Sequence, residues 1–76
     1  MIDNIPFQQG FNPQGFRILC RKNDRNVIIA FDGEWKGRKN FNVMNIWQNE
    51  GCWAPGKGIQ IPIEQKAELI KALGQL

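Results

Sequence analysis

Residues Met1 to Gly15 scatter isolated Ile and Phe among Asn, Gln, Pro6, Gly10, Pro13 and Gly15. With no sustained hydrophobic period, they read as a flexible N-terminal arm. From Phe16 the pattern alternates. Phe16, Ile18 and Cys20 share one parity and Arg17, Leu19 and Arg21 the other, which predicts a strand with a partly solvated basic row and Cys20 packed inward. Asn23, Asp24 and Asn26 supply a turn, and Val27-Ile28-Ile29-Ala30-Phe31 is then apolar on both parities, the pattern of a strand covered on both faces. Lys39 to Trp47 reads as a third strand, with Phe41, Val43 and Trp47 on one side and Met44 and Ile46 on the other. Between the second and third strands, Asp32-Gly33 or Lys36-Gly37 can close the hairpin, because Gly accepts the positive φ such turns demand. Asn49 to Gly58 reads as a loop, with Pro55-Gly56 suited to a type II turn, and Ile59-Gln60-Ile61 as a short fourth strand.

After Pro62 the period changes to that of a helix. Ile63, Ala67, Ile70 and Leu73 form one stripe, broadened by Leu69 and Leu76, and Gly74 is a stop signal. Pro62 stands where a side-chain N-cap would help, so this helix must lean on packing. The chain thus predicts an α+β fold, β-β-β-β-α: a four-stranded antiparallel sheet followed by one C-terminal helix, all within a single domain over residues 16–76. One helix covers one face of such a sheet, and a homodimer is the economical way to cover the rest.

Composition narrows the chemistry. The 76 residues carry Lys plus Arg 10 against Asp plus Glu 7, a net charge of +3, two Cys and no His. A domain of this size withdraws only about 60% of its unfolded surface from water, which also favours association. Without imidazole there is no general base near neutral pH, and two Cys cannot complete a zinc site, so neither an enzyme nor a cofactor is expected. Asp32, Glu34 and Glu50 fall in turns, where carboxylates serve backbone and solvent better than a metal. Cys20 and Cys52 read as reduced thiols of a cytosolic protein, and no apolar run is long enough to span a bilayer.

The informative stretch is Trp35-Lys36-Gly37-Arg38-Lys39-Asn40-Phe41, followed by Trp47, Trp53 and Pro55-Gly56-Lys57-Gly58. Aromatic faces among cations suit single-stranded nucleic acid, whose bases stack on the rings while Lys and Arg track the phosphates. Trp35, between Glu34 and Lys36 beside a turn, is placed for this. Trp47 shares its parity with Phe41 and Val43, and Trp53 serves equally as a stacking surface or as a plug closing its loop onto the sheet. Arg17, Arg21 and Lys39 extend the basic row.

These residues resemble the C-terminal domain of the eukaryotic transcriptional coactivator positive cofactor four and its bacterial and phage relatives, over roughly residues 16–76. The carriers are Trp35-Lys36-Gly37-Arg38, Trp47 at the family's spacing beyond it, and Pro55-Gly56-Lys57-Gly58-Ile59-Gln60-Ile61 leading into Glu64-Gln65. Met44 and Ala54 depart from it, standing where the family has basic residues. The resemblance implies a homodimer of curved sheets that binds single-stranded DNA with little sequence preference. It implies Trp35 and Trp47 as stacking platforms, Lys36, Arg38 and Lys57 as phosphate contacts, and Arg25 as a basic residue opening the second strand. It also selects Lys36-Gly37 as the hairpin turn and leaves Asp32-Gly33 as a bulge. The expected role is that of an accessory factor in transcription, DNA replication or recombination, with polymerase or recombination proteins as partners and no membrane. Its expected setting is the cytoplasm of a bacterial or phage-infected cell, or the nucleus in a eukaryote. Two other readings share the composition: a small RNA-binding barrel of the OB or cold-shock kind, and a protein-interaction adaptor with structural Trp residues.

Overall fold

The computed structural model describes residues 2–76. Four strands, β1 (Arg17–Asn23), β2 (Asn26–Trp35), β3 (Arg38–Asn49) and β4 (Cys52–Pro62), form one open antiparallel sheet in the order β1-β2-β3-β4. A single 3₁₀ turn, Ile63–Gln65, leads into the helix α1 (Lys66–Leu73), so the arrangement is α+β as expected. The sheet does not close on itself, which removes the small-barrel architecture. The 3₁₀ turn and α1 both start without a side-chain cap, and the helix ends at Gly74, whose N–H donates to the Ile70 carbonyl.

Hairpin chemistry decides the register. Lys36 and Gly37 have φ of 51° and 78°, and Glu50 and Gly51 have 52° and 79°. Paired positive φ values of this kind match the right-handed twist of the flanking strands. Asp32-Gly33 is not a bulge: β2 and β3 pair without interruption from Asn26↔Trp47 to Trp35↔Arg38, with Asp32↔Phe41 and Gly33↔Asn40 in line. The irregularities lie elsewhere, at Leu19 and Lys22 in β1 and opposite Asn45 in β4. The expected loop over Asn49–Gly58 is largely strand, because only Glu50-Gly51 turns and β4 absorbs Pro55 and Gly56 through its bulge. Gly56 and Gly58 are required there, since a Cβ would collide with the carbonyl oxygens of Asn45 and Val43. Pro is tolerated because β4 is an edge strand.

The two-residue period sorts the side chains. One face carries Val27, Ile29 and Phe31 of β2 against Ile46, Met44 and Asn42 of β3. This face is covered by the leader, which is packed rather than lying free as a flexible arm. Ile2 is buried in the same cluster as Val27, Ile29, Ile46 and Trp53, with Ile5, Phe7, Phe11 and Phe16 packed around it. Phe7 meets Phe11 and Phe16 edge-on at centroid distances of 5.5 and 5.3 Å, a favoured aromatic geometry. The leader also borrows the free edge of β4: Trp53 N–H donates to the Pro6 carbonyl at 2.8 Å and Gln8 N–H to the Trp53 carbonyl at 2.9 Å.

The opposite face carries Ile28, Ala30, Phe41, Val43 and Trp47. Here α1 is tethered by Lys66, whose Nζ lies 2.9 Å from the Asp32 carboxylate and 5.1 Å from the Phe41 ring centroid. The helix leaves a groove of about 430 Å³ between Ile70 and Leu73 and the sheet residues Ala30, Phe41 and Val43. Cys20, expected inside, is exposed, because every residue of β1 faces solvent along this outer edge.

Trp53 is fully buried, and its Nε1–H donates to the Ile2 carbonyl at 3.1 Å. Trp53→Ala should therefore destabilise the fold by about 3–5 kcal/mol and free the leader. Urea unfolding checks the first effect and limited proteolysis between residues 1 and 15 the second; an unchanged unfolding midpoint would refute the placement.

Candidate nucleic-acid interface

The β2–β3 hairpin gathers Trp35, Lys36, Arg38 and Lys39 at one end of the sheet. Trp35 is 63% exposed, and Lys36 Nζ lies 4.5 Å from its ring centroid. Such a contact at an exposed site is worth about 0.5–1 kcal/mol, little enough for a stacking base to compete with it. Trp35, Arg38 and Asn40 share the leader-side face with Gln60 and Pro62 of β4, and together they floor an open groove of about 710 Å³. Lys36, Lys39 and Glu64 stand around the floor.

Behind the floor is a buried amide pair. Asn42 Nδ2 donates to Asn40 Oδ1 at 2.8 Å, and both residues are less than a tenth exposed. Gly33 makes this possible, because a Cβ there would lie 2.8 Å from Asn40 Oδ1 and 2.9 Å from Asn42 Nδ2. Asn40, Gln60 and Glu64 lie in the stretches singled out from sequence but were not named there as binding residues. The parity of Arg38, Asn40 and Asn42, polar on every second position, was the available sign for the first of them.

Trp47 does not join this cluster. It pairs with Asn26 and Ala54 on the opposite face, nine residues along β3 from Arg38, about 30 Å at ~3.3 Å per residue. It is 40% exposed, and a Cβ on Gly56 would lie 3.3 Å from its Cδ1. Arg25 lies at the same end, its carbonyl accepting from Gln48 N–H at 3.0 Å, and Lys57 sits on the β4 bulge opposite Asn45. Trp47 and Arg25 thus lie at the far end of the sheet, and Lys57 lies midway along β4.

The remaining candidates go elsewhere. Trp53 is core and cannot stack on a base. Arg21 is held by Asp3 through two hydrogen bonds of 2.9 and 3.1 Å, and Arg17 lines the groove beneath α1. Cys20 and Cys52 are unpaired. Among the described residues no three carboxylate or thiol side chains come together to hold a metal, and no helix is long and apolar enough to cross a membrane.

No family model, curated protein or solved structure matches the chain. The resemblance to the positive cofactor four family therefore stands on the quoted residues and their order.

Because Trp35 packs on no core residue, Trp35→Ala should change folding stability by no more than about 0.5 kcal/mol. Urea unfolding of this variant beside Trp53→Ala measures the contrast, and a large loss at Trp35 would make it a structural residue, as an adaptor protein requires.

Proposed function

We propose that the protein binds single-stranded DNA as a homodimer and acts, without an active site, as an accessory factor in transcription, DNA replication or recombination. The observation that carries the reading is the exposed indole of Trp35 set among Lys36, Arg38 and Lys39 over an open groove. Bases of an unpaired strand stack on that ring while the three cations meet its phosphates; a duplex keeps its base faces hidden. Trp47 and Arg25 receive the strand at the far end of β3, with Lys57 along β4 toward it. Bound strand is thereby protected or presented to polymerase or recombination proteins. The unpaired thiols fit a reducing compartment such as the cytoplasm of a bacterial or phage-infected cell.

Dimerisation is supported by the apolar surface on the helix side. Ile70 and Leu73, which line the groove beneath α1, are each more than half exposed, as is Ile59, which pairs with Val43, and Leu76 is almost wholly so. A second copy presenting the same stripe covers both at once, as two-fold symmetry allows.

Fluorescence anisotropy with labelled oligonucleotides of equal length tests the first claim. Single strands should bind more tightly than duplex or RNA, and log affinity should fall with log salt at about −0.7 per phosphate neutralised. Trp35→Ala should weaken binding by about 1–3 kcal/mol, the worth of one stacked base. Preference for duplex, preference for RNA, or binding insensitive to salt would each overturn it.

The second claim is read by sedimentation. The protein should run as a dimer at micromolar concentration and Ile70→Asp as a monomer, whereas a wild-type monomer would leave the helix side without the proposed partner.

A further inference from the structure

The groove beneath Trp35 holds a residue that phosphate binding does not explain. Glu64 stands at its rim among Lys36, Arg38 and Lys39, where a carboxylate repels the phosphates those cations attract. It stands in the first turn that leads into α1 and forms no ion pair with any of them. The two ion pairs among the described residues are Arg21–Asp3 and Lys66–Asp32, and neither involves Glu64 or a cation of the groove. The floor holds a second unexplained feature, the Asn40–Asn42 pair, where two amides occupy buried positions that apolar side chains fill farther along the same face. Burying amides costs free energy unless their hydrogen bonds are made. Asn42 occupies the oxygen of Asn40, which leaves the Asn40 amide nitrogen as a donor for whatever enters the groove.

An amide donor and a carboxylate lining the same groove match one base better than the others. The Watson–Crick edge of guanine presents an acceptor, O6, followed by two donors, N1–H and the N2 amino group. Cytosine and adenine each offer a carboxylate a single amino group. Thymine has one N–H, flanked by two carbonyl oxygens that a carboxylate repels. We propose that the groove selects guanine at one position of the bound strand. Trp35 stacks on the base, Asn40 donates to O6, and Glu64 accepts from N1–H and the N2 amino group. This rests on the reading of the protein as a single-strand binder, and it confines base preference to one nucleotide of an otherwise indifferent path. Arg38 and the two lysines remain phosphate contacts, and Asn42 is a positioning residue that acts through Asn40.

The test is anisotropy with oligo(dT) carrying one central substitution. A single guanine should tighten binding roughly tenfold, within the about 1–3 kcal/mol that a good two-bond base contact contributes. Inosine, which lacks the N2 amino group, should lose most of that gain. Glu64→Ala should abolish the gain while binding plain oligo(dT) at least as tightly as wild type, since a negative charge is gone. Glu64 is exposed and bonds to no described side chain, so folding is not at risk. Free guanosine monophosphate should compete only at far higher concentration, because it lacks the neighbouring phosphates. If wild type binds oligo(dT) but guanine adds nothing, or if Glu64→Ala keeps the guanine gain, the selection is refuted and single-strand binding stands. Equal competition by the free nucleotide would refute the strand as its ligand. Failure to bind any oligonucleotide would remove both readings.

Discussion

The uninterrupted β2–β3 ladder is the constraint from which the rest of the molecule follows. Side chains alternate across a sheet with a period of two, so a slip of one residue would exchange every inward and outward position along both strands. The positive φ values of Lys36 and Gly37 hold the register at one end, and ten consecutive pairs carry it to the other without a bulge. Trp35, Arg38 and Asn40 are thereby fixed on one face and Phe41, Val43 and Trp47 on the other. A strand laid across both indoles must therefore pass from one face to the other, which a single flat channel does not provide.

The leader solves the problem that a small sheet poses. A four-stranded sheet with one short helix on one side leaves its other face to water, and a chain of this length has little apolar area to spare. Ile2, Ile5, Phe7, Phe11 and Phe16 supply the missing layer, and Trp53 closes it from the β4 edge with its indole N–H satisfied by the Ile2 carbonyl. Among the surfaces left uncovered are two grooves. One lies under Trp35; the other is bordered by the exposed Ile70 and Leu73 of α1. On the proposed reading the first takes a nucleic-acid strand and the second a like partner; because Trp47 lies on the face of the second, a strand that reaches it shares that face with the partner.

Much of this was legible in the chain. The alternation of β3, the double-sided apolar run of β2, the helical stripe after Pro62 and the cluster Trp35-Lys36-Gly37-Arg38 all express themselves within a few neighbouring residues. Other features depend on contacts between distant segments. The leader has no period of its own, because its order comes from edge-on aromatic packing and from Trp53, so local pattern suggested a loose arm. β4 was read as mostly loop because Pro55, Gly56 and Gly58 normally punctuate, yet here the glycines admit the carbonyl oxygens of Asn45 and Val43 to a bulged edge strand. Leu19 and its neighbours alternate as a half-buried strand should, but β1 is an outer edge strand and all of its residues stay exposed. Glu64 escaped notice as a site residue because a carboxylate after Pro62 looks like helix-opening chemistry until the sheet brings it beside Trp35.

Charge placement matters more here than charge total. A net charge of +3 on 76 residues makes a weak field, and Arg21 and Lys66 are already spent on Asp3 and Asp32. Of the eight cations that remain, Lys36, Arg38 and Lys39 gather at one end of β3 and Arg25 lies at the other, with Lys57 along β4 toward it. At about 0.1 M salt fields decay over roughly 10 Å, so two ends about 30 Å apart do not feel one another through solvent. If the protein binds a single strand as proposed, each end meets phosphates on its own, and only a strand long enough to reach both couples them. Coupling through the ligand acts as a tether: the second contact forms at an effective concentration set by the length of the strand between the ends. On the proposed reading, a small protein with few free cations would hold a long single strand more firmly than a short one.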